Sequence, residues 1–424
     1  MVRWLYTLLF YLAMPLVWLR LFWRARRQPE YRQHLGERLG YGRSAADGAC
    51  LWLHAVSVGE TRAAAPLVEA LLAAYPGRRV LLTHMTPTGR AAAAELLHRY
   101  PQRVLQAYLP YDLPGACERF LDRFQPTLGL LMETEIWPNL IAIAKRRHLP
   151  LLLVNARLSA RSQRGYLRLR ALIEPALSSL TAVTAQSEAD ATRLRALGAH
   201  PLVVVGNLKF DVTPALEKLA LGKAWRQAIG KRPVLLVAST RDGEESILLD
   251  ALTRLRIDDL LLVLVPRHPQ RFDEVAQLLS HRGLRYCRRS APALPDAQTA
   301  VWLGDSMGEM AAYYSLADLA LIGGSWLPFG GQNLIEAAAC SCPLLIGPHM
   351  FNFAQASADA LAAGAACRAA DASTAARMAG ELLNDSARLL AMRQAAQAFS
   401  RAHQGATART VALIDELMSS SPRR

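Results

Sequence analysis

The chain has no C-x-x-C pair and no zinc spacing; its six cysteines (Cys50, Cys117, Cys287, Cys340, Cys342, Cys367) are scattered, mostly among apolar neighbours. They read as buried, reduced thiols of a cytosolic protein. A Walker A loop, a G-x-G-x-x-G fingerprint, H-E-x-x-H and a D-x-D pair are all absent. ATP hydrolysis and dinucleotide redox chemistry lose their usual signatures, and no metal or other cofactor is demanded. Acidic charge is scarce, with 35 Asp+Glu against 49 Lys+Arg, a net charge of +14 and a pI near 9.9. Such a surface attracts polyanions. Zinc-finger spacing, an aromatic RNA-binding signature and a basic region with heptads are missing too, so anionic lipid headgroups and phosphorylated lipids fit better than nucleic acid. No long stretch has a disordered composition: hydrophobic residues make up 52% and charged residues 20% of 424. That length and balance suit two large folded domains.

From Trp4 to Leu19 a run of 16 residues carries no charge, with apolar character resuming after Arg20 at Leu21, Phe22 and Trp23. Spanning a bilayer takes about 20 residues, and Pro15 interrupts the run, so a spanning anchor and a helix lying in the interface both remain open. Arg24, Arg26, Arg27 and Arg32 follow the run while only Arg3 precedes it. The positive-inside rule then places the following domain in the cytoplasm. No small-residue cleavage site follows, which argues against a removed signal peptide. Residues 1–27 are therefore assigned to a membrane anchor.

Beyond residue 50, short apolar runs alternate with helical patterns: LWLHAV, RVLLTH, VLQAYLP, TLGLLM, LPLLLVN, LTAVTAQ and PLVVVG. After a polar helical stretch near 214–231 come PVLLVAST, LLLVLVPRH, AVWLGD, LALIGG and PLLIGP. This rhythm predicts an α/β fold of two doubly wound parallel sheets, at 28–210 and 211–424. The Ala-rich helical end, about Ser373 to Met418, is expected to pack back on the first domain. Ligands of such sheets bind beyond the carboxyl ends of the strands.

Those ends are polar. LWLHAV leads through SVGET into a helix, which puts Glu60 at the top of the first sheet among apolar neighbours. Partial desolvation there would raise its pKa toward the range of a general base, although Ser57 and Glu60 also spell a capping box. The same cap-then-glutamate spacing recurs in DSMGE at 305–309 and NLIE at 333–336. LIGGSWLPFGGQNLIEAAA joins a strand, a glycine-rich turn and a helix whose start can hold phosphate. Arg267 and His268 end another strand in VPRHP, where a guanidinium suits a phosphate or carboxylate. In METEIWP, Glu133 and Glu135 precede a helix, and the dipole favours a structural reading of Glu135. Arg157, Arg161, Arg164 and Arg168 are spaced four, three and four, which would align them on one helical face, either as a lipid-phosphate stripe or as a solvated surface.

Together LHAVSVGET, MTPTG, YLPYDLP, METEIWPNLI, NARLSARS, GNLKFD, VPRHPQRF, GDSMGEM, GGQNLIEAAA and GPHMFNF resemble the bacterial 3-deoxy-D-manno-octulosonic acid (Kdo) transferases acting on the lipid A precursor. The resemblance runs nearly end to end. It implies a GT-B fold with two Rossmann-like domains, an acceptor held mainly by the first and CMP-Kdo mainly by the second. It further implies that Glu60 is the general base of an inverting transfer. Arg267 and His268, Met307, Gly308 and Glu309, and Asn333, Leu334, Ile335 and Glu336 would bind the donor, without a metal. Glu133, Arg157 and Arg161 are candidates on the acceptor side, and the expected location is the cytoplasmic face of the inner membrane. A GT-B enzyme using a UDP-sugar and a non-catalytic, membrane-bound nucleotide-sugar-binding protein are the alternatives.

Overall fold

The computed structural model describes residues 1–42, 50–253, 255 and 257–420. The chain forms two units, Met1–Val212 together with Gln404–Arg424, and Thr213–His403.

In the first unit seven parallel strands run β1 (Cys50–His54), β2 (Arg79–His84), β3 (Val104–Tyr108), β4 (Pro126–Met132), β5 (Leu151–Ala156), β6 (Ala182–Ala185) and β7 (Leu202–Val204). Their spatial order is β3-β2-β1-β4-β5-β6-β7. Strands covered on both faces read as unbroken apolar runs, and Leu51, Trp52, Leu53, Leu130, Leu131 and Met132 are all buried. Alternate side chains feed opposite faces. Trp52 and Leu131 join Phe120 and Ile141 on one side, while Leu51, Leu53 and Leu130 pack with Leu67, Leu71 and Ile414 on the other. The order reverses between β1 and β4, so the loops following those two strands flank a topological switch point.

The second unit holds β8 (Val234–Thr240), β9 (Leu261–Pro266), β10 (Tyr286–Arg288), β11 (Val301–Leu303), β12 (Leu319–Ile322), β13 (Leu344–Ile346) and β14 (Ala366–Arg368), in the order β10-β11-β9-β8-β12-β13-β14. Its switch point lies between β8 and β12. The sequence rhythm missed β10 and β14, three-residue edge strands reading YCR and ACR, which contain no apolar run to mark them.

The helices Ala372–Leu383 and Ser386–Ala402 belong to the second unit, and Ala406–Ser420 to the first. Asp211 fixes this last helix, accepting from the Gly405 and Thr407 amides at 2.6 Å each, while Arg409 Nε donates to the Val205 carbonyl at 2.8 Å. All six cysteines are free thiols, yet only Cys50, Cys117 and Cys342 are buried; the other three are half-buried, so uniform burial was too strong an expectation. The arginine stripe also needs correction. Ser159 caps a helix spanning only Ala160–Arg168, so Arg157 precedes it and cannot share its face with Arg161, Arg164 and Arg168.

Candidate active site

The chain leaves β1 through Ala55 and Val56 and turns at Ser57, whose hydroxyl oxygen accepts from the Glu60 amide at 3.4 Å and so caps the helix Val58–Ala74. The Glu60 carboxylate reaches back. Its Oε2 accepts from the Val56 amide at 2.8 Å and its Oε1 from the Ser57 hydroxyl at 2.9 Å. The capping reading and the functional reading thus coincide: the cap holds the carboxylate still. Burial, followed by the charge of Glu133, raises the Glu60 pKa above its ordinary value, against the Val56 and Ser57 hydrogen bonds and Lys209.

Glu133 and Glu135 follow β4. Glu133 adopts φ 55°, and its buried carboxylate takes Lys209 Nζ on Oε1 at 2.8 Å and Arg157 Nε on Oε2 at 2.7 Å. Burial acts to raise its pKa, but the two cations outweigh it and keep the group below its ordinary value. Glu135 goes the other way. Burial first, then the charge of Glu60, push it up to about 7, even though the Trp137 indole donates to its Oε2 at 2.9 Å. His54 Nε2 lies 3.9 Å from that same oxygen. Burial, aided by His84, lowers His54 to about 3, and burial lowers His84 to about 4, so both imidazoles are neutral near pH 7. One fixed carboxylate, one ionised buried carboxylate and one carboxyl poised near neutrality therefore meet at the switch point. Arg161, by contrast, is exposed on its helix and makes no ion pair among the described residues.

Two members of this cluster were missed in the sequence. Lys209 stands in the 3-10 turn Leu208–Asp211 after β7, and only its place beyond a strand end marked it. Glu135 was read as a helix-dipole residue, whereas its burial beside Glu60 makes it a titrating group.

In the second unit Arg267 follows β9, its amide donating to the Thr240 carbonyl of β8 at 2.9 Å. Partial burial and then Arg241, Arg267 and Arg271 lower the His268 pKa, so three guanidiniums surround one imidazole at the ends of β8 and β9. Met307 is exposed and Gly308 has φ 77° with open space where a Cβ would stand. Glu309 takes Arg289 at 3.0 Å and leaves a buried Oε2 without a partner. The box expected at 305–309 does not form. The helix there starts at Met310 without a side-chain cap, Asp305 is held by Arg288 and Ser290, and Ser306 bonds the Tyr313 hydroxyl. At 333–336, Asn333 caps the second amide, that of Ile335, at 3.1 Å, which is not the three-residue spacing expected of a box. Leu334 and Ile335 have fully buried side chains, so only their backbone could meet a ligand, and Glu336 is half-buried one turn inside.

Glu244 ties these loops together, a role no sequence signal gave it. Its buried carboxylate accepts from the amides of Arg241 at 2.8 Å, Gly324 at 2.6 Å and Trp326 at 2.9 Å, joining the turn after β8 to the turn after β12. Neighbouring Glu245 grips Arg271 at 2.7 and 2.9 Å. The close approach needs glycine at 323, where a Cβ would lie 2.5 Å from the Ser239 carbonyl oxygen.

A family model described as "3-Deoxy-D-manno-octulosonic-acid transferase (kdotransferase)" matches residues 33–212. The 3-deoxy-D-manno-octulosonic acid transferase of Bordetella pertussis is 47% identical over 427 residues, covering 98% of this chain and 99% of that protein. The chain belongs to the Kdo transferase family. The Haemophilus influenzae Kdo transferase is 39% identical over 83% of each chain. As a Kdo transferase, the protein is a glycosyltransferase, and solved structures agree on its GT-B fold. A glycosyltransferase from Rickettsia africae superposes with a TM-score of 0.62 at 13% identity, covering 88% of this chain and 100% of that one. A putative UDP-N-acetylglucosamine 2-epimerase from Listeria monocytogenes gives 0.60 at 14% identity, covering 88% and 98%. At such identities these two speak for the fold alone.

Proposed function

We propose that this Kdo transferase moves Kdo from CMP-Kdo to a hydroxyl of the lipid A precursor at the cytoplasmic face of the inner membrane, with inversion and with Glu60 as general base. The observation that carries the reading is the Glu60 carboxylate, held by Val56 and Ser57 at a strand end, with its proton affinity raised by burial and by ionised Glu133. A base must be held still and have a pKa drawn upward toward the working pH, and the fixed, raised Glu60 carboxylate supports that role. The acceptor hydroxyl gives its proton to Glu60 while its oxygen bonds to the anomeric carbon of Kdo. The bond from that carbon to the phosphate oxygen of CMP breaks, and CMP departs with the electron pair. On the donor side, Arg267 with neighbouring His268 would face the anionic groups, guanidinium being suited to bidentate phosphate or carboxylate binding. Met307 to Glu309 and Asn333 to Glu336 would hold the nucleotide, Leu334 and Ile335 through their backbone. Glu133 and Arg157 would stand on the acceptor side, and the Val2–Ala25 helix would attach the enzyme to the membrane.

The test is transfer from CMP-Kdo to lipid A precursor, comparing wild type with Glu60→Ala and Glu60→Gln and counting added sugars by mass. Variants that bind CMP but lose about 10² to 10⁴ in rate support the base. Full activity in both would leave Glu60 as a cap only.

A further inference from the structure

Among the described residues one helix is long and apolar enough to cross a membrane, Val2–Ala25, and it has two different faces. One face is docked on its own unit. Tyr6 donates to Asp112 Oδ2 at 3.0 Å and Thr7 to Asn139 Oδ1 at 3.0 Å. Met14 packs against Tyr111, Leu113 and Ala116, and Trp18 meets Tyr111 edge-on with ring centroids 6.1 Å apart. Leu21 and Ala25 are buried further along. With Phe10, which packs against the same cluster, the positions from Thr7 to Ala25 recur every three or four residues and so form a single stripe. The opposite stripe is bare: Leu5, Leu8, Leu9, Leu12, Leu16 and Leu19 are each 56–68% exposed.

Docking extends from Tyr6 to Ala25, roughly 29 Å of helix at 1.5 Å per residue. The hydrocarbon core of a bilayer is about 30 Å thick. A spanning helix would therefore draw its docking partners through nearly the whole core. Among them is Asp112, which sits under the helix and accepts from the Asn139 and Leu140 amides. A carboxylate and the loops that hold it do not belong at that depth. The charge pattern agrees with a shallow position. A groove of about 590 Å³ at the end of the helix is lined by Leu16, Leu19, Phe22, Trp23, Arg20, Arg26 and Arg32. Arg20, Arg26 and Arg32 make no ion pair among the described residues, and cations at the rim of an apolar surface match lipid phosphates.

We propose that the N-terminal helix lies in the plane of the membrane, inserting its leucine row into one leaflet and setting its terminal arginines against the phosphates of that leaflet's anionic phospholipids. The helix does not cross. This deepens the membrane part of the proposed function and is tested without using transfer. The full chain carrying an epitope tag before Met1 is bound to sealed vesicles of phosphatidylglycerol and phosphatidylcholine, and protease is added outside. A tag removed together with the exposed units supports the in-plane helix, and a tag protected inside the vesicle overturns it. In flotation, Leu12→Glu/Leu16→Glu should lose at least tenfold in vesicle binding. Arg20→Gln/Arg26→Gln/Arg32→Gln should lose about 10²-fold on phosphatidylglycerol vesicles. Retained CMP binding certifies that each variant is folded. Undiminished vesicle binding by the folded leucine variant, or a switch from dimer to monomer as its only effect, means the leucine row is covered by a second copy of the chain and sinks the proposal. Loss of transfer with the tag still accessible would fault the proposed chemistry and leave the topology standing.

Discussion

Glu135→Gln removes a group whose proton the fold retains. Burial and the charge of Glu60 push this carboxyl from an ordinary 4.5 up to about 7. Between those values the folded protein holds a proton that the unfolded chain has released, so stability falls as the pH rises. The contribution is complete below about 4.5 and gone above about 7. At ~1.4 kcal/mol per pH unit, that interval corresponds to ~3 kcal/mol. The side chain is only 20% exposed, which leaves little room for solvent screening. Glutamine keeps the shape and an acceptor for the Trp137 indole but cannot ionise. Hydrogen-exchange protection of the β1 and β4 amides, corrected for intrinsic rates at pH 5 and pH 8, measures the difference. Because part of the titration is already over at pH 5, wild type should lose ~2.5 kcal/mol more over this range than the variant, which should be the more stable of the two at pH 8. Parallel losses in both proteins would show that Glu135 ionises like an exposed glutamate, and the picture of three coupled acids would fall.

Glu133→Gln removes the charge that lifts Glu60, so the acid limb of kcat/KM should move to lower pH; a limb that stays put would deny the coupling. Glu244→Gln should weaken CMP binding and lower the melting temperature of the second unit, because three amides share that carboxylate; a loss of ~1–3 kcal/mol is expected by calorimetry. Gly323→Ala forces a methyl against the Ser239 carbonyl and should cost ~1–3 kcal/mol, again with weaker CMP binding, whereas unchanged binding would mean that the turn moves freely.

Apolar runs between helical patterns located twelve of the strands because parallel strands buried on both faces can carry little else. Strands β10 and β14 escaped since edge position and three-residue length remove that demand. Glu60 was legible for a related reason: it follows a strong strand and opens a strong helix. Its electrostatic setting was not, because Glu133, Arg157 and Lys209 come from three separate strand ends, and periodicity within one segment says nothing about which ends meet. The arginine spacing misled for want of one boundary, as Ser159 starts the helix only after Arg157 has passed. Glu244 lay in a run of charges that looks solvated, and only the folded glycine turn reveals that its carboxylate is enclosed.

The helix Ala406–Ser420 packs into the first unit, with Ala406 and Ile414 inside the cluster around Leu67 and Leu71, although the chain makes it last. At 5–20 residues per second, the ribosome needs roughly 10–40 s to make the intervening Thr213–His403. Throughout that interval the nascent first unit has an apolar gap against the helix that carries Glu60, and Asp211 has no amides to hold. The first unit is thus completed only after the second has been made: a premature stop that removed the helix Ala406–Ser420 would strike the half of the protein that was synthesised first.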